Sequence, residues 1–211
     1  SYTMQSGDTQ AAALGFTLDF TDAVGNPGVQ VTAVTDASSV IFDESVPTAP
    51  SVTIYSDNAN TGRAKVNDIV TLSFTVSEPL LGSPTVTIDG KAATIGGAYP
   101  SYTASYTMQT GDTQAVALGF TLDFDDAAGN SAVQVIAVTD ASSVIFDETA
   151  PTAVAVSISS NNANNAALAK VNDVVTLSFT VDEPLLGNPT VTIDGNAATI
   201  GGAYPSYTAT Y

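Results

Sequence analysis

The sequence repeats itself at an interval of just over one hundred residues. Residues 1–50 match residues 105–154 at 40 of 50 positions, and residues 64–106 match residues 169–211 at 38 of 43. The offset changes from 104 to 105 between the two blocks, which places a one-residue insertion in the intervening loop. Because this interval has the size of one small β-sandwich, the phase of the repeat determines the domain organisation.

Proline sets that phase. The runs IFDESVPTAP around Pro47 and IFDETAPTAV around Pro151 each lie between two strand-like segments, as short interdomain linkers do. The sequence therefore predicts one complete repeat at 48–147. The C-terminal half of a preceding repeat is expected at 1–47, and the N-terminal half of a following repeat at 148–211.

Apolar and polar residues alternate along several segments, which is typical of half-buried strands. In the segment 69–76, Val70, Leu72 and Phe74 share one face and threonine and serine share the other. No helical periodicity is present. Strands are predicted at 51–55, 69–76, 84–88, 91–95, 101–108, 117–124 and 133–146. About seven strands per repeat predict an all-β chain of Greek-key β-sandwiches arranged in tandem as a rod.

The two copies carry specific motifs: DETAPT, AKVNDVVTLSFTVDEPLLGNPTVTIDGNAAT and TLDFDDAAGN. In these motifs the chain resembles the tandem bacterial Ig-like domain repeats of giant secreted surface adhesins. The resemblance covers the whole chain. It implies an Ig-like fold, a place outside the cell or on the bacterial surface, and calcium ions that stiffen the linkers between domains.

Composition limits the ligands and partners. Asp and Glu number 21 against 4 Lys and Arg, so the net charge of −17 disfavours nucleic acid, which needs a basic patch. The absence of Cys and His removes the usual ligands of zinc and copper and leaves oxygen donors suited to calcium. It also leaves few groups for acid–base or nucleophilic catalysis, so an enzyme is not expected. No apolar run has the ~18 residues of a membrane span.

Acidic and amide side chains are expected to converge where one repeat meets the next. In an Ig-like sandwich the loops after the second and sixth strands lie at the end where the linker enters. Crowded carboxylates repel one another, and a calcium ion would relieve that repulsion. The candidate ligands at the first junction are Asp43, Glu44, Glu78, Asp126 and Asn130. Their counterparts are Asp147, Glu148 and Glu183 at the next junction, and Asp22 and Asn26 in the preceding half-repeat.

Other interpretations stay open for these and other polar residues. The Asp-x-x-Gly-Asn sequence also forms a simple turn that needs no metal. The remaining acidic loops are expected to be solvated turns at the far end of each domain. The tyrosines are expected to fill the core or cover an edge, and a carbohydrate platform is the less favoured interpretation. These residues are Asp57, Asn58, Asn60, Asp68, Asp112, Tyr55, Tyr99, Tyr102 and Tyr106.

The repeats predict a structural function. The chain is interpreted as an extension module, or stalk, of an extracellular bacterial adhesin, rigidified by calcium between domains. Its partners are expected to be neighbouring repeats of the same or an adjacent chain. The alternative is a subunit of an extracellular filament or sheath, polymerised when neighbours exchange half-domains or strands. A carbohydrate-binding module is a third class, without a visible aromatic platform.

Overall fold

The computed structural model describes all 211 residues, and its regular secondary structure consists of β-strands alone. The all-β class that the alternation predicts is therefore confirmed. The chain divides into two compact units, Ser1–Glu148 and Thr149–Tyr211. It contains no helix that is long and apolar enough to span a membrane.

All strands of the first unit lie between residues 51 and 146, and residues 1–50 contribute only isolated bridges. The strands are β1 (Ser51–Ser56), β2 (Arg63–Ala64), β3 (Ile69–Thr75), β4 (Thr85–Ile88), β5 (Lys91–Ala92), β6 (Thr94–Ala98), β7 (Ser101–Thr107), β8 (Phe120–Asp123) and β9 (Ile145–Phe146). β1, β3, β4 and β7 lie within one or two residues of the predicted strands, whereas β8 begins three residues later than predicted and β2 was not predicted.

Two sheets of the first unit share one hydrophobic core. The first sheet has the order β1-β3-β7-β6 and the second β5-β4-β8, both antiparallel, while β2 and β9 form a short parallel pair. Leu72 and Phe74 of β3 pack in the same cluster as Ile88 of β4 and Leu122 of β8. Two sheets packed in this way are consistent with a β-sandwich.

The long strand predicted at 133–146 is wrong. Only Ile145–Phe146 is a strand, and Ala141 adopts a positive φ that ends any extended run. The side chain of Asp140 accepts a hydrogen bond from Ser142 N, which forms a turn. Composition rich in Val, Ile and Thr favoured a strand here, but side-chain hydrogen bonds to the backbone override that preference.

The second unit repeats part of this arrangement. Its strands are β10 (Ala153–Ser160), β11 (Val175–Val181), β12 (Thr192–Ile193), β13 (Asn196–Ala197), β14 (Thr199–Ala203) and β15 (Ser206–Thr210). One sheet has the order β10-β11-β15-β14, and the other contains only β12 and β13. Its core cluster is small and consists of Phe179, Val181 and Tyr207.

A glycine fixes the same tight hairpin in both units. Gly97, near the end of β6, has a φ of +84°, and a Cβ there would lie 2.5 Å from Ser101 O. Gly202 has a φ of +85° and makes the same approach to Ser206 O. Any other residue would be strained in both respects, so the two copies share their local geometry at this turn.

Candidate cation site

Three carboxylates from distant parts of the chain meet in the first unit. Asp43 belongs to the segment that leads to Pro47, Glu78 follows β3, and Asp126 follows β8. One carboxylate oxygen from each lies within 4.8 Å of the others. The salt bridges of the chain involve other acids, so no lysine or arginine neutralises these three charges.

Asp126 is the fixed member of the cluster. It is buried, and its Oδ1 accepts hydrogen bonds from the backbone N–H groups of Ala128, Gly129 and Asn130 at 2.7–2.8 Å. Its Oδ2 accepts one more from Asn130 Nδ2 at 2.8 Å. Burial raises the pKa of Asp126, but these hydrogen bonds outweigh it and hold the pKa below its usual value. Because a carboxylate oxygen has about two lone pairs, only Oδ2 retains capacity for a cation.

The pKa of Glu78 is displaced in the opposite direction. Burial raises its pKa, and the negative charges of Asp43 and Asp126 raise it further. No hydrogen-bond donor to its carboxylate offsets these two effects. A bound cation would therefore stabilise the ionised form of Glu78.

Asn130 connects the cluster to the linker. Its Nδ2 donates both to Asp126 Oδ2 and to the backbone oxygen of Asp43, the latter at 3.2 Å. Asn130 was predicted as a ligand, and in this geometry its amide nitrogen positions two residues that carry oxygen donors. The linker and the loop after β8 are held together by this one side chain.

Glu44, the neighbour of Asp43, lies outside the group of three. Its Oε1 accepts a hydrogen bond from Gln10 Nε2 at 2.8 Å, and its backbone N–H donates to the Gln10 side chain. Glu148 has the same contacts with Gln114 one repeat later. Each of these two glutamates therefore fastens its linker to a turn 34 residues earlier in the chain.

The loop at Asp22 and Asn26 has the same turn geometry as the loop at Asp126 but does not belong to a cluster of acids. Asp22 accepts hydrogen bonds from Val24 N, Asn26 N and Asn26 Nδ2, much as Asp126 does, yet it is exposed. The loop thus forms without other acids beside it. Turn chemistry accounts for the shape of the loop, but it does not account for the meeting of Asp126 with Asp43 and Glu78.

The predicted second junction is divided between the two units. Asp147 and Glu148 end the first unit, and Glu183 lies in the second, at the place that corresponds to Glu78. The Oε1 atom of Glu183 is buried and has no hydrogen-bond partner. An orphaned carboxylate oxygen is costly in a folded protein, and a cation is one of the partners that removes the cost.

Asp68 and Asp112 were expected in solvated turns, and that expectation is wrong, because both are buried. Asp68 accepts hydrogen bonds from Asn58 Nδ2, Lys65 N and Lys65 Nζ. Asp112 accepts from Gln109 N and from Tyr106 OH. The spacing of three residues between donor and acid is the signal that sequence reasoning missed, since it is typical of a side chain that closes a turn.

The tyrosines do not form one platform. Tyr102 packs against the core and stacks on Phe74, with ring centroids 5.7 Å apart. Tyr106 is also half-buried against the core, while Tyr55 and Tyr99 are exposed. Tyr102 and Tyr106 therefore agree with the interpretation of tyrosines as core residues, whereas Tyr55 and Tyr99 do not fill the core.

No protein-family model matches the chain, and the searches of curated proteins and of solved structures also found no match. The function must therefore be argued from the site and the repeat.

The donor set fits a hard cation. The site offers carboxylate oxygens alone, and the chain has no histidine or cysteine to favour a transition metal. The like charges of the three acids, the raised pKa of Glu78 and the free lone pair on Asp126 Oδ2 all favour binding of a divalent ion.

Proposed function

We propose that the chain is a structural extension module of a secreted bacterial surface protein, built from Ig-like Greek-key repeats and stiffened by calcium where one repeat joins the next. The observation that carries the proposal is the meeting of Asp43 with Glu78 and Asp126. Asp43 precedes the complete repeat, whereas the other two acids belong to its loops. A cation held by all three ties the linker to the body of the repeat.

The near-identity of the repeats supports this function. In a linear array, the stability is approximately a sum of contributions from each repeat and from each contact between neighbouring repeats. Because the repeats are nearly identical, a junction that is stiff at one repeat is expected to be equally stiff at the others. The strongly negative chain, at −17, also concentrates divalent cations near its surface. Calcium-binding extracellular modules have dissociation constants on the order of 10⁻⁴–10⁻³ M, which suits an ion that is abundant outside cells.

The proposal is tested by thermal melting in calcium and in chelator. At a calcium concentration one hundred times the dissociation constant, binding stabilises the folded state by about 2.7 kcal/mol. For a unit of this size we expect the melting temperature to rise by roughly 10 °C or more. Small-angle scattering of the same samples is expected to show a longer particle when calcium is present.

Glu78→Gln and Asp125→Asn form a matched pair for this test. Each removes one negative charge, but Asp125 is exposed and lies outside the cluster of three. We expect Glu78→Gln to abolish the calcium-dependent rise and Asp125→Asn to retain it. Equal responses of the two variants, or no response of the unmodified chain, would reject the cation site as the source of rigidity.

A further inference from the structure

The side chain of Gln10 holds two consecutive residues of the linker that leads to Pro47. Its Nε2 donates a hydrogen bond to Glu44 Oε1 at 2.8 Å, and its Oε1 accepts hydrogen bonds from Glu44 N and Ser45 Oγ, both at 3.3 Å. The partners lie 34 and 35 residues apart in the sequence, so the contact joins distant parts of the chain. We call these three hydrogen bonds the Gln10 clamp.

Backbone hydrogen bonds fix the chain on both sides of the Gln10 clamp. Ala11 N donates to Phe42 O at 3.1 Å, and Leu14 N donates to Val40 O at 2.9 Å. The segment that arrives at Asp43 is therefore already paired with the segment that follows Gln10. The clamp continues this pairing into the linker, where side chains replace the backbone as partners.

The same contacts recur one repeat later. Gln114 Nε2 donates to Glu148 Oε1 at 2.8 Å, and Glu148 N donates to Gln114 Oε1 at 3.1 Å. Ala115 N again donates to the backbone oxygen of Phe146, at 3.1 Å. Since the clamp forms in both copies, it is a feature of the repeated sequence and not of one loop.

Asp43 lies between the Gln10 clamp and the candidate cation site. It directly precedes Glu44, and its carboxylate belongs to the cluster with Glu78 and Asp126. Its backbone oxygen accepts a hydrogen bond from Asn130 Nδ2 at 3.2 Å. A linker residue must be ordered before it can bind a cation, and that ordering costs conformational entropy. Contacts that hold the linker in advance reduce this cost and raise affinity.

We propose that Gln10 is a positioning residue for the cation site, which holds Glu44 so that Asp43 already faces Glu78 and Asp126 when the cation binds. This inference rests on the function proposed above. Gln10 supplies no ligand and acts through the linker alone. It precedes the linker, whereas Glu78 and Asp126 follow it, so the cation affinity of a junction depends on residues from both of its sides.

A calcium titration of the full chain tests the positioning role. Gln10→Ala removes the three hydrogen bonds of the clamp and leaves all three acids in place. We expect calcium to bind about two- to tenfold more weakly, which is the effect of losing the preorganisation of one side chain. Isothermal titration calorimetry measures the dissociation constant.

Gln30→Ala is the matched control. Gln30 Nε2 donates to Asp19 Oδ1 at 2.9 Å, so this variant also breaks an exposed hydrogen bond between a glutamine and an acid in the segment 1–47. Neither residue lies in the linker or in the cluster of three acids. We expect its calcium affinity to equal that of the unmodified chain, and we expect both alanine variants to melt alike in chelator, because both glutamines lie outside the core.

An exchange of the two partners provides a rescue. The double variant Gln10→Glu and Glu44→Gln keeps the net charge of −17 and allows the same three contacts, with the donor and acceptor side chains reversed. We expect this variant to recover the calcium affinity of the unmodified chain. A loss of affinity that follows the broken hydrogen bonds and not the charge is typical of a positioning residue.

Linkage adds a measurement that does not depend on the titration. If the clamp favours calcium binding, calcium must favour the clamp by the same factor. Saturating calcium is therefore expected to slow amide hydrogen exchange at Glu44 N by up to about tenfold. Ser38 N, which donates to Asp36 Oδ1 at 3.0 Å in the same segment, is the internal control and is expected to exchange at an unchanged rate.

The outcomes separate this inference from the function on which it rests. If the unmodified chain does not bind calcium, both fail. If it binds calcium and Gln10→Ala binds as tightly as Gln30→Ala, the positioning role alone is rejected and the cation site stands. A double variant that binds as weakly as Gln10→Ala, or calcium that leaves exchange at Glu44 N unchanged, would also reject the clamp as the cause.

Discussion

Two carboxylates of the cation site have pKa values displaced in opposite directions. Asp126 receives four hydrogen bonds, which hold its pKa below the usual value despite burial. Glu78 is desolvated and faces two negative charges, so its pKa is raised. The folded chain therefore stabilises the negative charge of Asp126 with its own hydrogen bonds. The negative charge of Glu78 is stabilised by a bound cation or neutralised by a proton.

This contrast predicts how Glu78 affects stability as the pH changes. A raised pKa means that the folded state binds the proton more tightly than the unfolded state, so ionisation above the folded pKa costs stability. In chelator at pH 7, we expect Glu78→Gln to melt above the unmodified chain. The difference should vanish as the pH falls through the raised pKa of Glu78 towards the ordinary value for glutamate. Asp126, with its lowered pKa, remains ionised over this window.

Melting curves between mildly acidic and neutral pH measure the effect. Glu44→Gln is the control, because it removes the same charge at a glutamate that is hydrogen-bonded to Gln10. We expect no gain of stability from that variant at neutral pH. A Glu78→Gln variant that melts below the unmodified chain at pH 7 would show that the ionised form of Glu78 does not destabilise the folded chain.

Sequence reasoning reached the acids of the cluster through their loops, but it could not rank neighbouring residues. Asp43 and Glu44 are adjacent acids in the linker, and only the folded chain shows that one faces Glu78 and the other Gln10. Which of two consecutive side chains faces a site depends on the backbone path of the linker, and that path carries no periodic pattern.

At the scale of elements, side-chain hydroxyls bind the backbone N–H groups on the free edge of strand β1. The N–H of Val52 donates to Thr139 Oγ1, and the N–H of Ile54 donates to Ser142 Oγ, each at 2.9 Å. These hydroxyls replace the carbonyl groups that a neighbouring strand would offer. Residues 133–144 therefore protect the edge of the sheet without forming a strand themselves.

Ser142→Ala removes one of these acceptors and leaves the N–H of Ile54, a buried residue, without its partner. An unsatisfied buried N–H costs about 1–3 kcal/mol, so we expect a loss of stability of that order. Ser143→Ala is the control, because Ser143 is exposed in the same segment. Urea denaturation measures both variants, and equal stabilities would show that water replaces the hydroxyl of Ser142.

Alternation predicted the strands well where one face is buried and the other is solvated. In β3 the buried residues Val70, Leu72 and Phe74 alternate with partly exposed ones, and the pattern fixes both the strand and its orientation. The segment 133–146 lacks that regularity. There the decisive groups are the hydroxyls of Thr139 and Ser142, and polar side chains that cap an edge leave no periodic trace.

At the scale of the whole molecule, the chain places one strand sequence in two environments. β3 and β11 are nearly identical, and each pairs on both sides, β3 with β1 and β7 and β11 with β10 and β15. Both strands are therefore hydrogen-bonded on both sides, although the β10–β11 ladder has an irregularity between Ala153 and Ala155. The burial of the side chains differs most, since Leu72 is fully buried and Leu177 is only partly buried.

Amide hydrogen exchange measures how much the burial of these side chains contributes to the stability of each sheet. Intrinsic exchange rates depend on local sequence, so a difference between Leu72 and Leu177 reports the stability of their units. Covering one valine or isoleucine side chain stabilises by about 1.5–3 kcal/mol, and roughly 1.4 kcal/mol is a tenfold change. In residues 1–211 we expect the amide of Leu177 to exchange more than tenfold faster than the amide of Leu72. Equal rates would mean that both hydrogen-bonded sheets are equally stable whether or not their side chains are fully buried.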